Sequence, residues 1–247
     1  MIRFKILPED AKLEDLQKEY PNMQIISAEN PQFSISDLGV QPYPLNFRTP
    51  VTLIKVGEAR FMKKLLEDGE VYMQTTTHFR ELENWKDDCS DGRGDTYEGV
   101  DVVVQAEEIN IAETTIKNIS PIRGKFSNNN DGLIYSTYGV FDGTLLDGNL
   151  TIPDEMKKMG DAAIVIYDPM IFLDRCASYI KNMGGKLMAG SVTYYDENTG
   201  DYTMCPWLKR KRFEYQSEYR LFIPCGNRNP LLLRLGSIED IAEMKTW

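Results

Sequence analysis

Short β-patterned runs, each closed off by Gly, Asn, Asp or Pro, recur from Pro50 to Leu235 and outnumber the helical patterns between them. A chain punctuated this way has to bury strand faces, with helices laid against the outside of a sheet. The runs are VTLIKV from Val51, EVYMQTT from Glu70, Val100 to Glu107, Asn110 to Ile119, LIYSTYGVF from Leu133, Ala162 to Tyr167, Lys186 to Tyr195, Phe213 to Pro224 and Leu231 to Leu235. Asn128 to Asn130 with Asp131-Gly132, and Asn198 to Asp201, are the strongest turns. Helical signals fall at Glu58 to Glu67, ended by Asp68-Gly69, and at Met170 to Asn182, opened by Asp168-Pro169 and stopped by Gly184-Gly185. A short terminal helix is expected from Ser237. The expected fold is α+β: a mixed, mostly antiparallel, split or curved sheet with peripheral helices, and not a doubly wound parallel sheet.

Residues 1–45 read as an N-terminal extension or small cap: IRFKIL a strand, Glu9 to Tyr20 a charged amphipathic helix, MQIISA a strand, then a proline-bearing loop. Residues 46–247 read as one α+β domain, in which Val51 to Thr76 form a strand-helix-strand unit. Trp85 to Gly99, WKDDCSDGRGDTYEG, reads as an exposed acidic loop long enough to be functional.

At 247 residues with 42% hydrophobic side chains, the chain can fill a core of domain size. Its longest apolar runs, such as Ala162 to Ile166, fall far short of the roughly 20 residues of a membrane helix. MIRFKILPEDAKLEDL lacks the apolar core of a secretory signal, so a cytoplasmic location is expected. Four scattered cysteines and one histidine, His78, exclude a finger or a multi-imidazole metal centre. A formal net charge of −10 argues against general nucleic-acid binding, and the basic run Lys209 to Arg212 reads as a solvated segment or as partners for carboxylates.

The segment WLKRKRFEYQSEYRLFIP, Trp207 to Pro224, holds the leading candidate site. If it is extended, Glu214, Gln216, Glu218 and Arg220 share one face, and Phe213, Tyr215, Ser217, Tyr219 and Leu221 the other. On residues alone, that polar face also suits a solvated antiparallel strand, Ser136-Thr137 suit any strand as β-formers, and Lys55 suits a snorkelling surface lysine.

KRFEYQSEYRLFI, Lys211 to Ile223, resembles the C-terminal signature of a bacterial domain-of-unknown-function family associated with phage defence and mobile elements, a lysine and an aromatic followed by Y-E-x-E-Y-R. GEVYMQTTTHFREL, the GRGDTYEG loop and IYSTYGVF follow the order of that family, so the likeness spans about Pro50 to Ser237. The same order is similar to ADP-ribosyltransferases, which carry a basic residue on an early strand, a Ser-Thr strand in the middle and a Q/E-x-E strand late. That likeness implies an ADP-ribosyltransferase-like fold and an NAD-dependent ADP-ribosyltransferase or NAD glycohydrolase in phage-host or bacterial conflict. It makes NAD the substrate and implies a macromolecular acceptor, protein being the leading class. Carried over, Glu218 is the catalytic carboxylate and Gln216 orients the acceptor. Lys55 stands where that family has Arg or His, Ser136 supports Glu218, Thr137 completes the Ser-Thr pair, and Tyr72 or Tyr135 stacks on the nicotinamide. A carboxylate beside the ribose suits this chemistry, because the bond breaks through an oxocarbenium-like state.

Other chemistries have less behind them. Asp87, Asp88, Asp91, Asp95 and Glu98 form an oxygen-rich loop without the spacing of an EF-hand. His78 suits a general base but has no serine or cysteine elbow beside it, and neither a phosphate loop nor a dinucleotide fingerprint is present. The competing class is a non-catalytic binding protein that engages a protein partner or sequesters a small nucleotide.

Overall fold

The computed structural model describes residues 5–6, 41–85, 92–105, 108–111, 114–117, 121–125, 127–141, 152–196, 198, 200–225 and 229–247. The expected helix from Glu9 to Tyr20 and the MQIISA strand lie outside them. The chain forms two compact units: a smaller one from Met1–Tyr43, Val100–Phe126 and Glu197–Met204, and a larger one from Pro44–Gly99, Ser127–Asp196 and Cys205–Trp247. One division falls at Tyr43/Pro44. The smaller unit also takes two segments from later in the chain, which a contiguous reading does not anticipate.

In the smaller unit, Gln41–Pro42, Tyr202–Thr203, Val102–Val104 and Ile122–Gly124 pair side by side in that order. Val102, Val103 and Val104 are buried, as a β-branched run on a covered strand should be. The expected Asn110 to Ile119 strand is instead the hairpin Glu108–Ile111 with Thr114–Lys117, and Lys5–Ile6 runs parallel to its first arm.

The larger unit has, in chain order, strands β1 (Pro50–Gly57), β2 (Glu70–Thr75), β3 (Gly132–Phe141), β4 (Ala162–Ile166), β5 (Met188–Ser191), β6 (Thr193–Tyr195), β7 (Leu208–Arg210), β8 (Glu218–Pro224), β9 (Leu231–Arg234) and β10 (Ala242–Thr246). Its helices are α1 (Ala59–Asp68), α2 (Thr76–Trp85), α3 (Asp154–Lys157) and α4 (Pro169–Asn182). The main sheet has eight strands, all antiparallel to their neighbours, with the path β5-β8-β3-β1-β4-β10 and with β9-β2 added on β3. The α+β class with a mostly antiparallel sheet is therefore what this unit has.

Alternation along β4 explains how the core is divided. Ala162, Ile164 and Ile166 join Leu53 with Met62 and Leu65 of α1 and Phe172, Cys176 and Ile180 of α4 in one cluster. Ala163 and Val165 join Ile54, Val56, Val140 and Met156 in another. Helix α4 starts as its sequence dictates, with Asp168 Oδ1 accepting the Ile171 N–H at 3.0 Å and proline in the first turn.

Other expected elements also differ. The terminal segment is not a helix: Ala242–Thr246 pairs with Ala162–Ile166, because β4 is buried on both faces and its outer edge needs a ladder partner. The three threonines after Gln74 also do not all extend β2. Thr75 Oγ1 accepts the His78 N–H at 3.0 Å and turns the chain into α2 at Thr76.

The sheet is split at β3. One edge pairs β8 from Gly132 to Tyr138, whereas the other is shared, β2 taking Leu133 and Ile134 and β1 taking Tyr138 to Phe141. Between them the ladder on that edge is interrupted, and Lys55 Nζ donates to the Ser136 carbonyl oxygen at 2.8 Å.

Candidate functional site

The split brings together side chains that are far apart in sequence. In the β3-β8 ladder Ser136 lies opposite Arg220 and Tyr138 opposite Glu218. Ser136 is thus diagonal to Glu218 on the same face, and its Oγ donates to Glu218 Oε2 at 2.9 Å. Lys55 reaches Ser136 from β1 on the other side of β3. A cavity of about 650 Å³ is lined at this point by Lys55, Tyr72, Tyr135, Ser136, Gln216 and Glu218 among others.

The long strand expected from Phe213 does not form. Lys211–Gln216 is a 3₁₀ turn, Ser217 sits in the left-handed region at φ 40°, and only Glu218–Pro224 is extended. Ser217 closes the turn by giving its N–H to the Glu214 carbonyl at 3.1 Å and its hydroxyl to the Gly139 carbonyl at 3.0 Å. Glu214 consequently does not share the face of Glu218, while Gln216 still arrives beside Glu218 by a route other than strand alternation. Lys209 Nζ bridges Gln216 Oε1 and Glu218 Oε1.

Around Glu218 is a buried charge network in which Lys209 and Arg210 are partners for carboxylates, one of the two readings the basic run allowed, while the burial of Asp95 and Glu98 was not anticipated. Arg220, 1% exposed, gives Nε to Glu218 at 2.7 Å, both terminal nitrogens to Glu98 at 3.0 and 2.9 Å, and one of them also to the Pro206 carbonyl at 2.7 Å. Arg210 pairs with Asp95 at 2.8 Å and stacks over the Tyr97 ring at 4.4 Å. The acidic loop, expected to be exposed, is therefore largely packed inward over its described part: Asp95 and Glu98 are 3% and 6% exposed. Buried carboxylates need cations, and Lys209 and Arg210 of the basic run supply them, while Lys211 and Arg212 face solvent. Gly92 lets the loop approach, since a Cβ there would lie 2.1 Å from the Tyr215 hydroxyl. The available signals were the acids Asp95 and Glu98, the basic run Lys209 to Arg212, and the two-residue spacing of Glu218 and Arg220.

Tyr72, Tyr135, Thr137 and His78 line the same cavity but differ in exposure and partners. Tyr72 is 54% exposed and presents an open ring. Tyr135 is buried, with the Lys55 ammonium 4.4 Å from its ring centre, so its surroundings leave little room for stacking. The Thr137 hydroxyl is given to the Tyr219 carbonyl at 3.1 Å. His78, in the first turn of α2, lines the cavity and packs edge-on to Phe79. No group of three or more metal-ligating side chains occurs among the described residues, and none of their helices is long and apolar enough to cross a membrane.

Burial works against the charged form of Glu218, but the charges and hydrogen bonds of Arg220 and Lys209 outweigh it and hold the carboxyl well below the ordinary carboxylate range. Glu218 is thus an anion at any working pH, suited to stabilising positive charge and not to giving up a proton. Its Oε2 takes two donors, while Oε1 takes Lys209 alone and has room for one more.

Lys55 is shifted by burial from 10.5 to about 8, Glu218 opposing and Arg93 adding to the effect. The unfolded chain therefore binds more protons at this site between pH 8 and 10.5, so the site contributes a gain in stability as pH rises through that window. Lys55→Met should lose that gain, about 1–3 kcal/mol after allowance for partial exposure, while every other group titrates alike in the two proteins. Urea midpoints of both proteins at pH 7.5 and pH 10 check it; parallel shifts would contradict it.

Compared with protein-family models, with curated proteins and with solved structures, the chain finds no significant match in any of the three.

Proposed function

We propose that the larger unit is ADP-ribosyltransferase-like, binds NAD and breaks its nicotinamide-ribose bond, as an ADP-ribosyltransferase or NAD glycohydrolase. One observation carries the reading: Lys55, Ser136 and Glu218, from β1, β3 and β8, converge on one cavity, with Ser136 Oγ donating to Glu218 at 2.9 Å. The strands with the basic residue, the Ser-Thr pair and the late glutamate are consecutive neighbours in the sheet, which lets their side chains meet. A cavity of about 650 Å³ is in the range that buries a small molecule.

The roles follow from the surroundings. The fixed anion of Glu218 faces charge developing at the ribose, its free Oε1 acceptor site takes a ribose hydroxyl, and Ser136 holds the carboxylate in place. The Lys55 ammonium counters the pyrophosphate, and Tyr72 offers the stacking face for the nicotinamide. Activity in phage-host or bacterial conflict is the setting implied by the resemblance of Lys211 to Ile223.

Thermal unfolding with added nucleotides tests the binding step. NAD at about 100 times its Kd should raise the melting temperature by roughly 5–10 °C. Tyr72→Ala, on an exposed ring, should weaken the shift without lowering the melting temperature of the free protein. No shift at millimolar NAD would count against the proposal, and a shift with no nicotinamide released would favour the binding-protein class.

A further inference from the structure

The group that would grip an acceptor in such a site is already in use. Gln216, 3% exposed, gives its amide hydrogens to the Gly92 carbonyl at 2.8 Å and the Tyr215 hydroxyl at 3.2 Å, and its Oε1 receives Lys209 Nζ. Lys209 is itself buried, 5% exposed, with its ammonium 4.6 Å from the Phe213 ring centre and joined to Glu218 Oε1. A positive charge of the protein's own thus occupies the place between amide and carboxylate.

We propose, resting on the NAD reading, that Lys209 is a specificity residue that excludes cationic acceptors, so that water is the nucleophile and the chain is an NAD glycohydrolase. A guanidinium or ammonium entering beside Glu218 would meet the charge of Lys209, which already holds Gln216 Oε1 and one acceptor site of Glu218 Oε1, and the one site left on Oε1 is taken by the ribose hydroxyl. Water carries no charge, so Lys209 does not repel it and it needs no carboxylate of its own. In the step, water oxygen bonds to the ribose C1 while the bond from C1 to the pyridinium nitrogen breaks. The electron pair of that bond leaves with the nitrogen and makes nicotinamide neutral, and one water proton passes to solvent. NAD and water become ADP-ribose, nicotinamide and a proton, and no oxidant or reductant is needed.

The test gives the full chain NAD with and without agmatine, a free guanidino amine, and resolves products by chromatography and mass spectrometry. Wild type should give nicotinamide and free ADP-ribose in equal amounts and no agmatine adduct. Lys209→Met removes the charge and should form agmatine adduct at a level about 100-fold above the detection limit. Lys209→Gln, which keeps a polar bridge, is the companion should the methionine variant not fold. An adduct formed by wild type overturns the proposal whether or not either variant folds. So does a variant that still releases nicotinamide and makes no adduct. If wild type releases no nicotinamide, the NAD reading itself falls, and this inference with it.

Discussion

Arg220→Met is expected to destabilise the protein by about 3–5 kcal/mol, a large part of the 5–15 kcal/mol that holds a typical domain together. The reason is what it leaves behind. Methionine keeps most of the stem's packing but removes the cation that neutralises Glu98 and shares Glu218 with Lys209. Glu218 retains Lys209 and Ser136, whereas the Glu98 carboxylate, 6% exposed, loses both of its guanidinium hydrogen bonds, and the Pro206 carbonyl loses its donor. Neutralising the orphan should therefore restore part of the loss: Arg220→Met with Glu98→Gln is expected to recover about 1–2 kcal/mol over the single variant. Urea unfolding of the variants checks both numbers. A single-variant cost below about 1 kcal/mol would mean that the network is not the buried unit described.

Glu218→Gln carries the largest expected effect on activity, a fall of about 1,000-fold in nicotinamide release. The amide has nearly the shape of the carboxylate but cannot offset positive charge at the ribose. It also turns an N–H toward either Lys209 or Arg220, where only an acceptor fits, so stability should fall by about 1–3 kcal/mol. That stability cost means rates have to be compared at equal folded protein. Ser136→Ala, which touches Glu218 through one hydrogen bond, should cost only about tenfold, because the carboxylate keeps its two cations. An alanine variant as impaired as the glutamine variant would place the chemistry at Ser136 instead.

The sheet was legible where alternation and punctuation agree. LIYSTYGVF, VTLIKV and the apolar run from Ala162 carry unambiguous β patterns, and Asp168-Pro169 and Gly69 fix helix ends by their own backbone chemistry. The segment before Glu218 was not legible, because FEYQS has the alternation of a strand while the left-handed Ser217 and its bonds to Gly139 fold it into a 3₁₀ turn. The terminal strand was hidden for a similar reason: its pairing is set by the exposed edge of β4, some eighty residues earlier in the chain. At the site, the resemblance pointed to Lys55, Ser136, Gln216 and Glu218, which on residue types alone also suited a solvated strand face, and the fold brings all four to one cavity. Nothing local distinguished Lys209 and Arg210 from the solvated Lys211 and Arg212. Their burial depends on Asp95 and on the pair Gln216 and Glu218, and a one-dimensional pattern cannot report which carboxylate a cation will meet.

The central claim is that the carboxylate at the meeting point of β1, β3 and β8 breaks a glycosidic bond in NAD. The most direct measurement is the rate of nicotinamide release at saturating NAD by wild type and Glu218→Gln, matched for folded protein by near-UV circular dichroism. The account predicts steady multiple-turnover release by wild type and a rate for the variant that approaches background. Equal rates for the two proteins, or no release by a wild-type protein that NAD stabilises, would contradict it.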